Sequence, residues 1–351
     1  MQINIKRWPH NWVFFGVCTV YLAMVTEPTL LYACFGSVLP DVPAFSTRPG
    51  FLTDAIKQPG GLVFAMTGLL SQCFYFSWPG ALVIMVTGLG LSELTRRHFK
   101  AAGLGNLSVL TCLPVIMIIL IYSRYQHPLL GVLAVCLGLL SAWIVARMPC
   151  RNPKLGALLL CVMTVVTFWL GATGALVVFL AMTLIHTVNG QKHRIALALG
   201  LPMALAIIWI LLEYVAVSSV AQAWPLTLPL SKAVTGEMKS ISKGLMFAIY
   251  SYVPVCLGAL LLGRWAWHRG HRSHANKHRK NKTDHATDPK KRRDPVLIKT
   301  LAVLAVPLVG MGVSLYITHD PFSKPYIQTH YHSQLRQWPE LLKTVKQLPK
   351  G

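Results

Sequence analysis

Acidic side chains are scarce in this chain, and three stand at the edges of apolar segments. Glu27 lies near the end of the first apolar run, and Asp41 and Asp54 lie in the polar stretch after it. A charge in such a place is a functional hypothesis, because its desolvation is costly. We predict Asp41 and Asp54 as candidate catalytic residues. A structural interpretation stays open, in which Asp41 is a turn residue between prolines and Asp54 solvates a helix end.

Further polar and aromatic side chains accompany these acids at the ends of apolar runs. Tyr and Trp are enriched where a membrane meets water, so the pattern fits interfacial anchors as well as a binding site. The residues predicted to line a cavity at the outer face, or to bind a lipid headgroup, are Glu27, Gln72, Tyr75, Trp78, Arg124, His127 and Glu213.

A strongly basic stretch, residues 264–299, separates two long apolar runs. It contains 12 of the 33 Lys and Arg residues, against three acids. Such a block crosses a bilayer only at high cost and therefore marks the cytoplasmic side. Its histidines stand among cations that would repel a metal ion, so no metal site is predicted. Contact with anionic lipid headgroups is predicted for Lys290, Lys291, Arg292 and Arg293.

Composition excludes several classes of protein. The chain has 351 residues, of which 54% are hydrophobic and only 13% charged, well below the roughly 25% charge of soluble domains. The net charge of +22 lies in short loops between apolar runs, which indicates a polytopic membrane protein and not a nucleic-acid partner. No phosphate-binding glycine motif occurs, and no cofactor is predicted.

The apolar runs predict an all-α fold, a polytopic transmembrane helical bundle. A helix needs about 20 residues to cross about 30 Å of hydrocarbon, and helices satisfy their own backbone in lipid. Nine spans are predicted, at roughly residues 12–33, 81–95, 106–122, 129–148, 155–170, 173–188, 195–214, 244–265 and 295–317. The first is expected to be an uncleaved helix. The two spans around residues 171–174 are predicted as a tight hairpin or one broken helix pair.

One further apolar segment, residues 60–76, is short and is interrupted by Ser71, Gln72 and glycines. We predict an interfacial or re-entrant helix here, followed by a break at Trp78-Pro79-Gly80. If this segment crossed the membrane, the alternation of basic and neutral loops would be lost.

That alternation predicts the orientation of the chain. With nine spans and a cytoplasmic amino terminus, every inside loop is richer in Lys and Arg than the outside loops beside it. We therefore predict a transmembrane domain, residues 1–317, in a bacterial plasma membrane, and a tail, residues 318–351, outside the cytoplasm.

The tail is predicted to form a small helical hairpin. Leu335, Trp338, Leu341, Leu342 and Val345 recur at helical spacing, and Pro339 suits a first turn. Such a pair cannot bury its own apolar face. Two interpretations stay open: the tail packs on the membrane domain, or it begins a repeat region that is truncated here.

Two stretches carry a resemblance to known sequences, QPGGLVFAMTGLLSQCFYFSWPGALVI at residues 58–84 and HYHSQLRQWPELLKTVK at residues 330–346. They resemble an uncharacterised family of bacterial multi-pass membrane proteins, known as a domain of unknown function. The resemblance implies a helical membrane domain followed by helical repeats outside. It implies no activity and no catalytic residues.

Three functions are compatible with these patterns. The first is a membrane scaffold or assembly partner that presents the outside helical module to a protein. The second is a membrane-embedded transferase, by architectural analogy with lipid-linked sugar transferases, in which an outside acid acts as base or metal ligand. The third is a transporter, which the scarcity of ionisable residues within the spans disfavours.

Overall fold

A computed structural model describes the helical part of the chain. The described residues are 9–31, 45–48, 50–104, 108–123, 129–148, 152–189, 194–214, 227–228, 244–262, 325, 328–329, 332–333 and 337–346. The predicted span 295–317 and the basic stretch 264–299 lie outside these ranges.

Every regular element within these ranges is helical, which confirms the all-α class. The first half contains α1 (Pro9–Tyr21, extended by a π-helical turn Leu22–Thr26), α2 (Phe51–Ile56), α3 (Gly61–Ser71, extended by a 3₁₀ turn Gln72–Tyr75), α4 (Ser77–Ala101) and α5 (Ser108–Tyr122). The second half contains α6 (Leu130–Arg147), α7 (Pro153–Asn189), α8 (Arg194–Tyr214), α9 (Gly244–Leu262) and α10 (Trp338–Val345).

Four of these helices are long and apolar enough to cross a membrane, namely Ser77–Ala101, Leu130–Arg147, Lys154–Thr187 and Gly244–Leu262. This is fewer than the nine predicted spans. Three of those spans correspond to the shorter apolar helices of α1, α5 and α8, and the two spans in α7 count as one helix. The ninth, 295–317, lies outside the described residues. Apolar side chains cover the outside of the bundle as well as its core, among them the exposed Val86, Leu158, Val162, Trp209 and Val255. A protein that is apolar on both sides of its helices is suited to lipid, so the fold indicates membrane association.

Helix α7 is folded back on itself at residues 171–174. Ala172 has φ 54° and ψ −162°, which divides α7 into a first arm (153–171) and a second arm (173–189). Gly156 and Leu160 of the first arm line the same cleft as Thr183 and Thr187 of the second. These pairs lie at equal distances from the turn, so the arms run antiparallel as a hairpin. Of the two predicted alternatives, the tight hairpin is the one the structure forms.

Thr227 holds the turn of this hairpin together. Its hydroxyl accepts from the Gly174 N–H at 2.9 Å and donates to the Gly171 carbonyl at 3.0 Å. Its own carbonyl accepts from the Tyr250 hydroxyl at 2.5 Å. A Cβ at Gly174 would lie 2.1 Å from the Thr227 carbonyl oxygen, so only glycine allows this approach. One loop residue thus satisfies backbone groups that the break in the helix would leave without partners.

The bundle has two distinct ends, named here by what lies there. At the hairpin end lies the turn at residues 171–174, and at the histidine end α4, α6 and the second arm of α7 run to their carboxyl termini, with His98 beside His186. Because α4 ends at the histidine end, its first residue, Ser77, lies toward the hairpin end. The Ser77 hydroxyl there donates to the Ala23 carbonyl at 2.6 Å.

The segment 60–76 has both termini toward the hairpin end. Gly60 donates its N–H to the Trp169 carbonyl at 2.8 Å beside the hairpin turn, and the segment ends at the start of α4. Gly60 has φ +78°, and a Cβ on it would lie 2.9 Å from the Cβ of Ala172. A helix that begins and ends at one end of a bundle fits the predicted interfacial or re-entrant segment.

Candidate functional site

The predicted catalytic acids do not form a shared site within the described residues. Asp54 lies on the short helix α2 with its side chain 74% exposed, and its carboxylate accepts from the Lys57 ammonium at 2.9 Å. Asp41 lies outside the described residues. An exposed ion pair between neighbours on one helix contributes little energy and leaves no dry pocket around the acid. A catalytic role for these acids therefore stays a prediction.

Four of the predicted cavity residues, Gln72, Tyr75, Trp78 and Glu213, are exposed. Gln72 donates to the Gly68 carbonyl of its own helix at 3.5 Å, and Tyr75 and Trp78 are more than half exposed. Tyr75 packs edge-to-face against Phe76. Glu213 is exposed at the end of α8. Exposed aromatic rings at the junction of two apolar helices match the interfacial alternative named for them. Arg124, His127, Lys290, Lys291, Arg292 and Arg293 lie outside the described residues.

Glu27 differs from these residues because it meets the tail. It ends the π-helical turn of α1 in the left-handed region, with φ 51°, and its N–H donates to the Leu22 carbonyl at 3.0 Å. Its carboxylate accepts from the Gln328 amide at 3.5 Å, a contact between residues 301 positions apart. The tail therefore returns to the hairpin end of the bundle.

The tail helix α10 presents an apolar face to the outside of the molecule. Trp338, Leu342 and Val345 are 60%, 63% and 44% exposed and follow one another at helical spacing. Thr344 is buried on the other side, where its hydroxyl donates to the Glu340 carbonyl at 2.8 Å. The first residue of the predicted apolar series, Leu335, lies outside the described residues.

A histidine pair occupies the opposite end of the bundle. His98 of α4 is fully buried, and its Nδ1 lies 2.9 Å from Nε2 of His186 on the second arm of α7. The Nε2 of His98 lies 3.0 Å from the Leu139 carbonyl of α6. The two imidazole rings stack at 5.2 Å between centroids. Three helices thus meet at one hydrogen-bonded chain of polar groups.

The hydrogen bonds determine the tautomers of both rings. A carbonyl only accepts, so His98 carries its hydrogen on Nε2 and donates it to Leu139. In a neutral His98, Nδ1 then accepts, and the donor is the Nε2–H of His186. A neutral His186 is therefore left with an acceptor lone pair on Nδ1.

This lone pair belongs to a residue that lines a small open cleft between α6 and the α7 hairpin. The other walls are mostly aliphatic, from Ala142, Val145, Ala146, Gly156 and Leu160. The hydroxyls of Thr183 and Thr187 also line it, but both donate to carbonyls of their own helix. His186 is partly exposed whereas His98 is not. The cleft thus reaches the pair from the His186 side.

Charged side chains lie on two of the helices that meet at the pair, the one that carries His98 and the one that carries Leu139. Glu93 accepts two hydrogen bonds from Arg96, at 2.7 and 2.9 Å, and one from Arg97 at 2.9 Å. The guanidinium groups of Arg97 and Arg147 lie 4.7 and 5.2 Å from the centre of the Trp143 ring. Within the described ranges no three potential metal ligands gather, so the pair has no third side chain for a metal ion.

Sequence reasoning singled out neither this pair nor Thr227. Each of the two is the only histidine in its own helix. The two histidines are 88 positions apart, and no motif or spacing connects them. Only the packing of α4, α6 and α7 brings them together.

Comparison with protein families finds one match: residues 3–350 match a family of unknown function, DUF6057. The predicted resemblance to an uncharacterised family is thereby confirmed. Neither the curated proteins nor the solved structures contain a match to the chain.

Proposed function

Because the chain belongs to this family of unknown function, we propose its role from its own geometry: it is an integral membrane protein that scaffolds an assembly. The bundle anchors the chain in a bacterial plasma membrane, and the tail binds a partner protein outside the cytoplasm. The observation that carries the proposal is the exposed apolar face of α10.

The face of α10 is suited to a helix-in-groove contact. Trp338, Leu342 and Val345 occupy positions i, i+4 and i+7, which is the spacing of anchor residues in such complexes. Tryptophan is among the residues that most often dominate binding energy at interfaces. The partner that fits is a protein with an apolar groove, because Glu340 and Lys343 leave α10 polar on its remaining exposed surface.

The contact between Gln328 and Glu27 supports a defined position for this face. It ties the tail to the end of α1, which lies toward the hairpin end of the bundle. This contact supports a tail that stands beside the membrane domain at that end.

The orientation rests on charge. Arg96, Arg97, Lys100 and Arg147 all lie at the histidine end, which supports a cytoplasmic position for that end and an outside position for the hairpin end. The basic stretch 264–299 belongs to the same cytoplasmic side, where anionic lipid headgroups would contact Lys290, Lys291, Arg292 and Arg293. With nine spans, the tail is then outside.

Native gels of membranes extracted in mild detergent test the scaffold. We expect the chain to migrate as a complex larger than its own 38.8 kDa, and Leu342→Glu to weaken the complex at least about tenfold. A carboxylate at this position would be buried against the partner's apolar groove without a partner of its own. Lys343→Glu is the matched control, because Lys343 is exposed one position outside the stripe.

Two further variants separate the scaffold from the transferase. Asp41→Asn and Asp54→Asn should leave the complex unchanged. If they abolish the function of the chain while Leu342→Glu preserves both function and complex, the transferase is correct and the scaffold is wrong.

A further inference from the structure

The two hydrogen bonds of the histidine pair point in the same direction, from donor to acceptor. The His186 Nε2–H donates to His98 Nδ1, and the His98 Nε2–H donates to the Leu139 carbonyl. The chain begins at the lone pair of His186 Nδ1, on the residue that lines the cleft, and it ends at a carbonyl inside the bundle.

Addition of a proton to His186 Nδ1 breaks none of these bonds. The Nε2–H of the resulting imidazolium still donates to neutral His98, and the bond becomes charge-assisted, which makes it roughly twice as strong as a neutral one. The His98 bond to Leu139 keeps its donor and acceptor. Addition of the proton anywhere else in the pair requires a ring to turn or a hydrogen bond to break.

We propose that the His98–His186 pair is a proton-binding site that is loaded at His186 Nδ1 through the cleft between α6 and the α7 hairpin. The proton comes from water in the cleft and is returned to it, and no covalent or redox step takes place. This site is independent of the tail and lies toward the opposite end of the bundle from Glu27.

The hydrogen bond between the two rings limits the pair to one proton. The charged side chains that the structure describes at this end include Glu93, Arg96, Arg97 and Lys100 of α4, Arg147 of α6 and Lys154 of α7. Other titratable side chains on the surrounding helices are neutral ones, Cys112 and Tyr122 of α5, Cys136 of α6, Cys161 of α7, and Tyr250, Tyr252 and Cys256 of α9. Glu93, the one acid among them, is already paired with Arg96 and Arg97. A second proton would have to bind His98 Nδ1, where it would face the His186 Nε2–H across 2.9 Å. That hydrogen bond would be lost, and two imidazolium charges would stand side by side.

Nitrogen-15 NMR of the full chain in lipid vesicles, with labelled histidine, tests the site. The signals of the pair are assigned from His98→Gln and His186→Gln. The amide of a glutamine at 186 can still donate to His98 Nδ1, so His186→Gln keeps the bundle together and removes only the proton acceptor. His332, which pairs with Gln337 on the tail, provides the reference for a histidine outside the bundle.

We expect both buried histidines to carry hydrogen on Nε2 when neutral. On acidification, His186 Nδ1 should become protonated while His98 Nδ1 stays bare, and the chain should gain one proton at the pair. A hydrogen on His186 Nδ1 in the neutral protein would overturn the proposal. So would two protons at the pair, or none over the pH range in which the bundle stays folded.

Discussion

Replacement of Thr227 by valine is expected to destabilise the bundle by about 2–4 kcal/mol, through the loss of two hydrogen bonds at the hairpin turn. Valine has nearly the same shape as threonine, and both are β-branched, so the strained φ of 61° at this position costs the same in either. What changes is the Gly174 N–H, which loses its acceptor in a buried site, and the Gly171 carbonyl, which loses a donor.

Thr164→Val is the matched control for this prediction. Thr164 is equally buried, but its hydroxyl only donates to the Leu160 carbonyl of its own helix at 2.6 Å. Its loss leaves no backbone group without a partner, so we expect a change of less than about 1 kcal/mol. Unfolding of the purified protein in mixed micelles, followed as detergent composition changes, measures both. Equal effects of the two substitutions would contradict the role of Thr227.

The second large effect is expected in reporter fusions, which show on which side of the membrane the fused segment lies. Alkaline phosphatase folds only after export, so a fusion after residue 351 should be active and a fusion at residue 280, inside the basic stretch, should be inactive. The reason is the cost of moving a densely basic segment across the bilayer. The expected difference is all-or-none.

Fluorescent-protein fusions at the same two sites should give the reverse pattern, which controls for expression. If phosphatase is active at residue 280, or inactive at residue 351, the tail is cytoplasmic. In that case the segment 60–76 crosses the membrane or the count of nine spans is wrong.

The helical class and the positions of the apolar helices could be predicted from the sequence. The length of each apolar run can be read from the local sequence, and it predicted the positions of α4, α6, α9 and both arms of α7. In residues 60–76, Ser71 and Gln72 coincide with the point where α3 gives way to a 3₁₀ turn. The break at Ala172 was visible as a cluster of small residues, although only the structure shows that the chain turns back there.

The histidine pair and the Thr227 contact could not be predicted, because both are long-range. His98 and His186 meet only if α4 and the second arm of α7 end together, and Thr227 reaches Gly174 across 53 positions. Each residue looks ordinary in its own segment. The acids that did give a local signal proved less informative, since Asp54 is an exposed partner of Lys57.

The most direct test of the scaffold is photocrosslinking in intact membranes, with a photoreactive amino acid at Leu342 and, separately, at Lys343. We expect one discrete protein adduct from position 342, and a weak adduct or none from position 343. We also expect Trp338→Ala to remove the adduct, because the side chains of Trp338 and Leu342 form one face. Adducts with lipid alone at position 342, or equal protein adducts at both positions, would contradict the scaffold.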